Sequence, residues 1–94
     1  MVLWSRELRV ADVNESFTRL TGFTREDVVG LPHGARLDAE DVGRRLALIQ
    51  GALQGREGQI ETRTSRKDGS RFDIELRYLP VSFGGEPHAL AIGR

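Results

Sequence analysis

Side chains able to attack, coordinate or shuttle protons are sparse in this 94-residue chain, and their spacing assembles no catalyst. There is no cysteine, which removes the disulfide, the thiolate zinc site and the cysteine nucleophile together. A nucleophilic mechanism would fall to serine, with a base and an orienting group beside it. Ser5, Ser16, Ser65, Ser70 and Ser82 fall in turns, on helix surfaces or near strand ends, and none follows a nucleophile-elbow pattern. The glycine-rich stretches lack the spacing of a phosphate loop. His33, beside Pro32 and Gly34, and His88, after Pro87, read as exposed loop residues. The carboxylates stand at expected helix starts or on strand exteriors, where capping and solvation account for them. No catalysis is expected of the chain itself, and the polar residues left to consider are Thr62 and Thr64, on one face of an expected strand.

The elements that position them start with a hairpin. Two extended segments flank Asp68-Gly69, a dipeptide that accepts the positive φ angles of tight turns. Phe72, Ile74, Leu76 and Tyr78 alternate with Asp73, Glu75 and Arg77, so one face of the second strand is apolar and the other charged. Ile60, Thr62 and Thr64 share a face of the first strand and place hydroxyls where the second offers hydrocarbon. Upstream, Met1 to Ser5 and Leu8 to Val13 read as two strands joined at Arg6-Glu7. Asn14 fits the N-cap of a short helix carrying Phe17 and Leu20, which Gly22 ends. Thr24 opens a second short helix, stopped by Gly30 and Pro32. Leu31 to Leu37 reads as a loop, and Asp38 as the cap of a long helix with Glu40 and Asp41 in its first turn. On that helix Val42, Leu46, Ile49 and Leu53 share one face, and Gly55 caps its end. Gly84-Gly85 marks a further turn, and His88 to Gly93 a last strand. The order is ββ, three helices, βββ.

Composition bounds the function. A chain of this length forms one domain and buries about 60 to 65% of its unfolded surface, enough for a modest core. Fourteen basic and fourteen acidic side chains cancel, without a run that favours nucleic acid or an anionic membrane. There is no signal-peptide pattern and no apolar run near the roughly 20 residues of a membrane span. A soluble, cytoplasmic domain is expected, with no nucleic-acid partner and no membrane insertion of its own.

Val13-Asn14-Glu15-Ser16-Phe17, Leu20-Thr21-Gly22-Phe23, Glu26-Asp27-Val28-Val29-Gly30, the acidic start of the long helix at Asp38 to Asp41, and Arg66-Lys67-Asp68-Gly69-Ser70 follow one another in an order and spacing that resemble the PAS domain family of sensory modules. The resemblance covers nearly the whole chain. It implies an α+β fold, a five-stranded antiparallel sheet of order 2-1-5-4-3 with helices packed on one face around a small pocket. On this resemblance the pocket residues would be Phe17, Leu46, Ile49, Thr62, Thr64, Ile74, Leu76 and Ala91. Family members usually continue past the position of Gly93-Arg94 into a signalling helix, so the chain is expected to be a piece of a longer protein, a sensor histidine kinase or a diguanylate cyclase. The flanking helix and output domain of that parent are then its partners.

No haem or flavin is expected. Relatives that trap flavin covalently use a cysteine, and positions that carry amide side chains in flavin-binding relatives are Ile74 and Gly93 here. Haem-binding relatives usually take their ligand histidine from the long helix, which has none here. An unidentified small metabolite remains the expected ligand. Against it stands a pure dimerisation or interaction module, with Trp4, Phe17, Phe72 and Tyr78 filling the core. If Ala89, Ala91 and Gly93 face the helices, as alignment with the family's pocket positions suggests, then Leu90, Ile92 and, by the same parity, Leu3 lie on the opposite face. Such a face needs a cover, expected to be a flanking helix in the parent, and the domain by itself is expected to pair through this face as a twofold homodimer.

Overall fold

Alternation of apolar and charged side chains around Asp68-Gly69 folds into the longest hairpin of the chain, β3 (Gly58–Ser65) and β4 (Arg71–Phe83). In this computed structural model, which describes residues 1–35 and 39–94 and only the backbone of 39 and 40, Ile60 pairs with Leu76, Thr62 with Ile74 and Thr64 with Phe72. The faces are those the parity predicts. The connection is wider than a two-residue turn. Arg66 N–H donates to the Ser70 carbonyl at 2.8 Å and Gly69 N–H to the Arg66 carbonyl at 3.0 Å, which leaves Lys67, Asp68 and Gly69 as the loop. Gly69 carries the left-handed φ of +89°, as three-residue hairpin loops require. Gly69→Val is expected to cost about 1 kcal/mol or more, because a β-branched side chain is poorly tolerated at that φ. An unchanged melting temperature would reject this account of the turn.

β1 (Val2–Trp4), β2 (Val10–Val13) and β5 (Glu86–Gly93) complete one antiparallel sheet in the order β2-β1-β5-β4-β3, the order implied by the resemblance. The second strand begins at Val10 and not at Leu8 as expected. Leu8 sits in the preceding turn at φ 63°, where its N–H reaches the Ser5 carbonyl at 3.0 Å and its side chain packs against the core.

The helices are α1 (Glu15–Thr21), α2 (Arg25–Val28) and α3 (Ala39–Leu53). Asn14 caps α1 by accepting from Phe17 N–H at 3.1 Å, and Thr24 and Asp27 cap α2 reciprocally. The expected Asp38 cap of α3 lies outside the described residues. Ile49 and Ala52 of α3 pack on Tyr78, Ala89 and Ala91 to form the main core, and Val10, Val13 and Val28 form a second cluster. Of the expected stripe on α3, Ile49 is fully buried, whereas Val42, Leu46 and Leu53 are half-buried. Among the described residues no helix is long and apolar enough to cross a membrane.

Leu3, Leu90 and Ile92 lie on the sheet face away from the core, Leu3 paired with Leu90 and Ile92 with Arg77. Their exposure differs from expectation in one respect. Leu3, between its register partners Asp12 and Leu90, is only 7% exposed, whereas Ile92 is 40% and Phe83, on the same face, 58% exposed.

Candidate functional site

Phe17, Leu20 and Thr21 fall on one face of α1 through their spacing of three and four. That face looks across a gap at Ile74 and Leu76 of β4 and at Ala91 and Gly93 of β5. Thr64, Ser16, Val2 and Met1 complete the wall, and the partly open cavity is about 100 Å³. Gly93 keeps part of it open, because a Cβ there would come within 2.6 Å of Ile74 Cδ1. The lining is mostly hydrocarbon. The Thr21 hydroxyl is occupied, donating to the Phe17 carbonyl at 2.8 Å and accepting from Phe23 N–H at 3.2 Å.

Five of the eight expected pocket residues, Phe17, Thr64, Ile74, Leu76 and Ala91, meet at this cavity, while Leu46, Ile49 and Thr62 do not line it. Ile49 is spent in the main core, Leu46 is half-buried on α3, and the Thr62 hydroxyl donates to Asp41 Oδ2 at 2.9 Å. Sequence reasoning missed Leu20 and Thr21, together with Met1, Val2 and Ser16, as pocket residues. Helical spacing from Phe17 would have indicated the first two.

The aromatic filling is only partial. Tyr78 is 2% exposed and sits in the main core, where burial pushes its phenol up to about 12. Trp4 packs against the same cluster, with the His33 ring edge-on at 5.7 Å. Phe72, by contrast, is half-buried beneath the Arg66 guanidinium, 4.3 Å from its ring centre, and belongs to neither core cluster.

A polar cluster adjoins the core that the sequence presents as ordinary surface. Asp41 and Arg45 are buried rather than solvated at the helix start. Arg45 Nη2 donates to the Arg63 carbonyl at 3.2 Å and lies 3.7 Å from Asp41 Oδ2, while Arg44 Nη1 approaches Asp41 Oδ1 at 3.6 Å. Among the described residues, Arg45 Nε and His33 Nε2 are buried without a hydrogen-bond partner. His33 is held below the ordinary imidazole range, first by burial and then by the Arg45 charge.

Neither histidine is the exposed loop residue expected. The loop folds His33 inward against Trp4. His88 lies within β5, 7% exposed on the outer face, its ring edge-on to Phe83 at 5.4 Å. Its Nδ1 is 3.0 Å from the Glu86 carbonyl and therefore carries the proton of that bond.

A large cofactor does not fit this interior. The cavity, about 100 Å³, falls well below the roughly 300 Å³ at which pockets for drug-sized ligands begin. Haem or flavin would have to displace α1 or the core aromatics. Purified protein is expected to be colourless, and a Soret band or a flavin absorption peak near full occupancy would refute that expectation.

A family model for the PAS fold matches residues 1–94. Comparison with curated proteins returns no match. Among solved structures, the PAS domain of a protein from Colwellia psychrerythraea matches with a TM-score of 0.81 at 25% identity, over 99% of this chain and 81% of that one. The PAS domain of an HTR-like protein from Haloarcula marismortui matches with a TM-score of 0.77 at 26% identity, over 99% and 77%. A PAS domain from a two-component sensor histidine kinase gives a TM-score of 0.69 over 99% and 80%, and its 14% identity makes that a likeness of fold alone. The strand order, the helices gathered on one face around a small cavity and the match along the full chain lead to one conclusion: this chain belongs to the PAS family of sensory domains.

Proposed function

We propose that this PAS domain is the sensing unit of a longer signal-transduction protein, a sensor histidine kinase or a diguanylate cyclase, and that it reads a small ligand held between α1 and the sheet. The observation that carries this reading is the apolar cavity whose walls are Phe17, Ile74, Leu76, Ala91 and Gly93. Its volume of about 100 Å³ matches about three waters at roughly 30 Å³ each, which suits an organic molecule of a few heavy atoms. Such a ligand alters output to the extent that it binds one arrangement of α1 against the sheet better than another. The absence of cysteine supports a cytoplasmic setting. Native mass spectrometry of protein purified under gentle conditions tests the reading: a retained small molecule supports it. Bare protein that also takes up no small apolar probe would favour a pure interaction module.

Self-association is the second part of the proposal, and the outer sheet face supports it. Ile92 and Phe83 are exposed there, and Leu79, Val81 and Leu90 are half-buried beside them. An apolar stripe on the open face of an antiparallel sheet favours a cover, and a second copy supplies one by twofold symmetry. Leu90→Lys is expected to shift light scattering from dimer to monomer while leaving the fold intact. Wild-type protein that is already monomeric at high micromolar concentration would reject the interface.

A further inference from the structure

The polarity of the wall between α1 and the sheet assigns a chemical class to the ligand, an inference that rests on the sensing reading above. We infer that the domain binds a small neutral molecule with a single hydroxyl end, the hydroxyl bonded to Thr64 Oγ1 and the short alkyl chain laid along Ile74 and Leu76. Among the described residues no charged side chain lines this cavity. The Met1 ammonium is the one ionic group at the wall, and it donates to Asn14 Oδ1 at 2.8 Å. A carboxylate entering the cavity would compete for an amine that Asn14 already engages, and an ammonium would meet no carboxylate. Either ion would give up its hydration for hydrocarbon, which is expensive.

Strand register puts the polar group at one end. Thr64 pairs with Phe72 and so stands diagonal to Ile74, the next inward residue of β4. Leu76 follows on the same face, with Gly93 as its register partner, and at the far end Ala91 pairs with Val2. The wall therefore runs from a hydroxyl into hydrocarbon. Of its three hydroxyls, that of Thr21 is spent on the Phe17 carbonyl and Phe23 N–H, and that of Ser16, on the exposed side of α1, accepts from Arg19 Nη2 at 3.3 Å. Thr64 is half-buried, and its hydroxyl makes no hydrogen bond among the described residues. A hydroxyl both donates and accepts, so a ligand hydroxyl can complete it. The volume of about 100 Å³ takes about three or four heavy atoms, the size of propanol. Gly93 keeps that space, because an added Cβ would lie 2.6 Å from Ile74 Cδ1 and 3.3 Å from Ile74 Cγ1 and drive that side chain off the wall.

Titration of the purified protein with 1-propanol, 1-chloropropane, propionate and propylammonium, followed at the methyl resonances of Ile74, Leu76 and Ala91 in NMR spectra, tests the inference. Propanol is expected to shift these methyls saturably and to bind about fivefold more tightly than chloropropane, which lacks the hydroxyl. Propionate and propylammonium should give no saturable shift. Thr64→Val keeps the shape of the side chain and removes its hydroxyl, so it should weaken propanol about fivefold and leave chloropropane unchanged. Gly93→Ala should weaken both neutral probes alike, because the displaced Ile74 takes up the space. Either ion binding as tightly as propanol overturns the neutral class, and Thr64→Val acting on both neutral probes equally, or on neither, overturns the hydroxyl assignment. Neutral probes unaffected by Gly93→Ala would place their binding outside this cavity and overturn both assignments. Saturable binding by any probe at these methyls leaves the sensing reading standing, whereas no saturable shift from any of the four sinks it together with this inference.

Discussion

Asp41→Ala is expected to be among the most damaging single substitutions in this domain, costing about 3 to 5 kcal/mol, the usual penalty for removing one partner of a buried ion pair. Asp41 is 6% exposed and Arg45 7%. Alanine at 41 would strip the Thr62 hydroxyl of its acceptor and leave the Arg45 guanidinium with the Arg63 carbonyl as its hydrogen-bond partner among the described residues. A domain of this size has about 5 to 15 kcal/mol in hand, so the melting temperature should fall by roughly 12 °C or more. Thermal and urea denaturation followed by circular dichroism measure this. The double variant Asp41→Leu/Arg45→Met should regain most of the loss, because exchanging both charges for hydrocarbon removes the desolvation penalty with the attraction. A loss below about 1 kcal/mol in Asp41→Ala would mean that the pair behaves as a hydrated surface pair.

Ile49→Ala should cost about 2 to 5 kcal/mol through lost burial and the void left behind. Ile49 has no exposed surface and packs with Ala52, Tyr78, Ala89 and Ala91. Three of those neighbours are already alanine, so little side chain is available to collapse into the space, which places the expected loss in the upper part of the range. The urea midpoint should fall with an unchanged slope. Because Ala91 borders both the core and the cavity between α1 and the sheet, the variant should also admit a larger apolar probe. A loss under about 1 kcal/mol would show that α3 settles toward the sheet and closes the gap.

Much of the architecture was legible because the rules that set it are local. Parity along β3 and β4 fixed which side chains share a face, since neighbouring residues in a strand point to opposite sides; the register pairs Thr62 with Ile74 and Thr64 with Phe72 follow. Asn14 and Thr24 were readable as caps because each bonds a backbone N–H three residues on. The strand order did not come from such rules. No residue of β1 announces that it lies between β2 and β5, and only resemblance to a known arrangement supplied that order before the structure bore it out.

The site was half legible for the same reason. Phe17, Thr64, Ile74, Leu76 and Ala91 lie on faces that their own strand or helix turns inward, and they meet at the cavity. Asp41 and Arg45 look like an ordinary i,i+4 pair on an exposed helix, and His33 like a residue of a loop rich in proline and glycine. Their burial depends on how α3 and the preceding loop settle over β3 and Trp4, contacts between residues distant in sequence. Local pattern therefore determined the elements and the direction each side chain faces. Tertiary packing alone decided which inward polar groups are satisfied, which remain unpartnered, and where the interior leaves room, because solvent exclusion is a property of the assembled layers and not of any one segment.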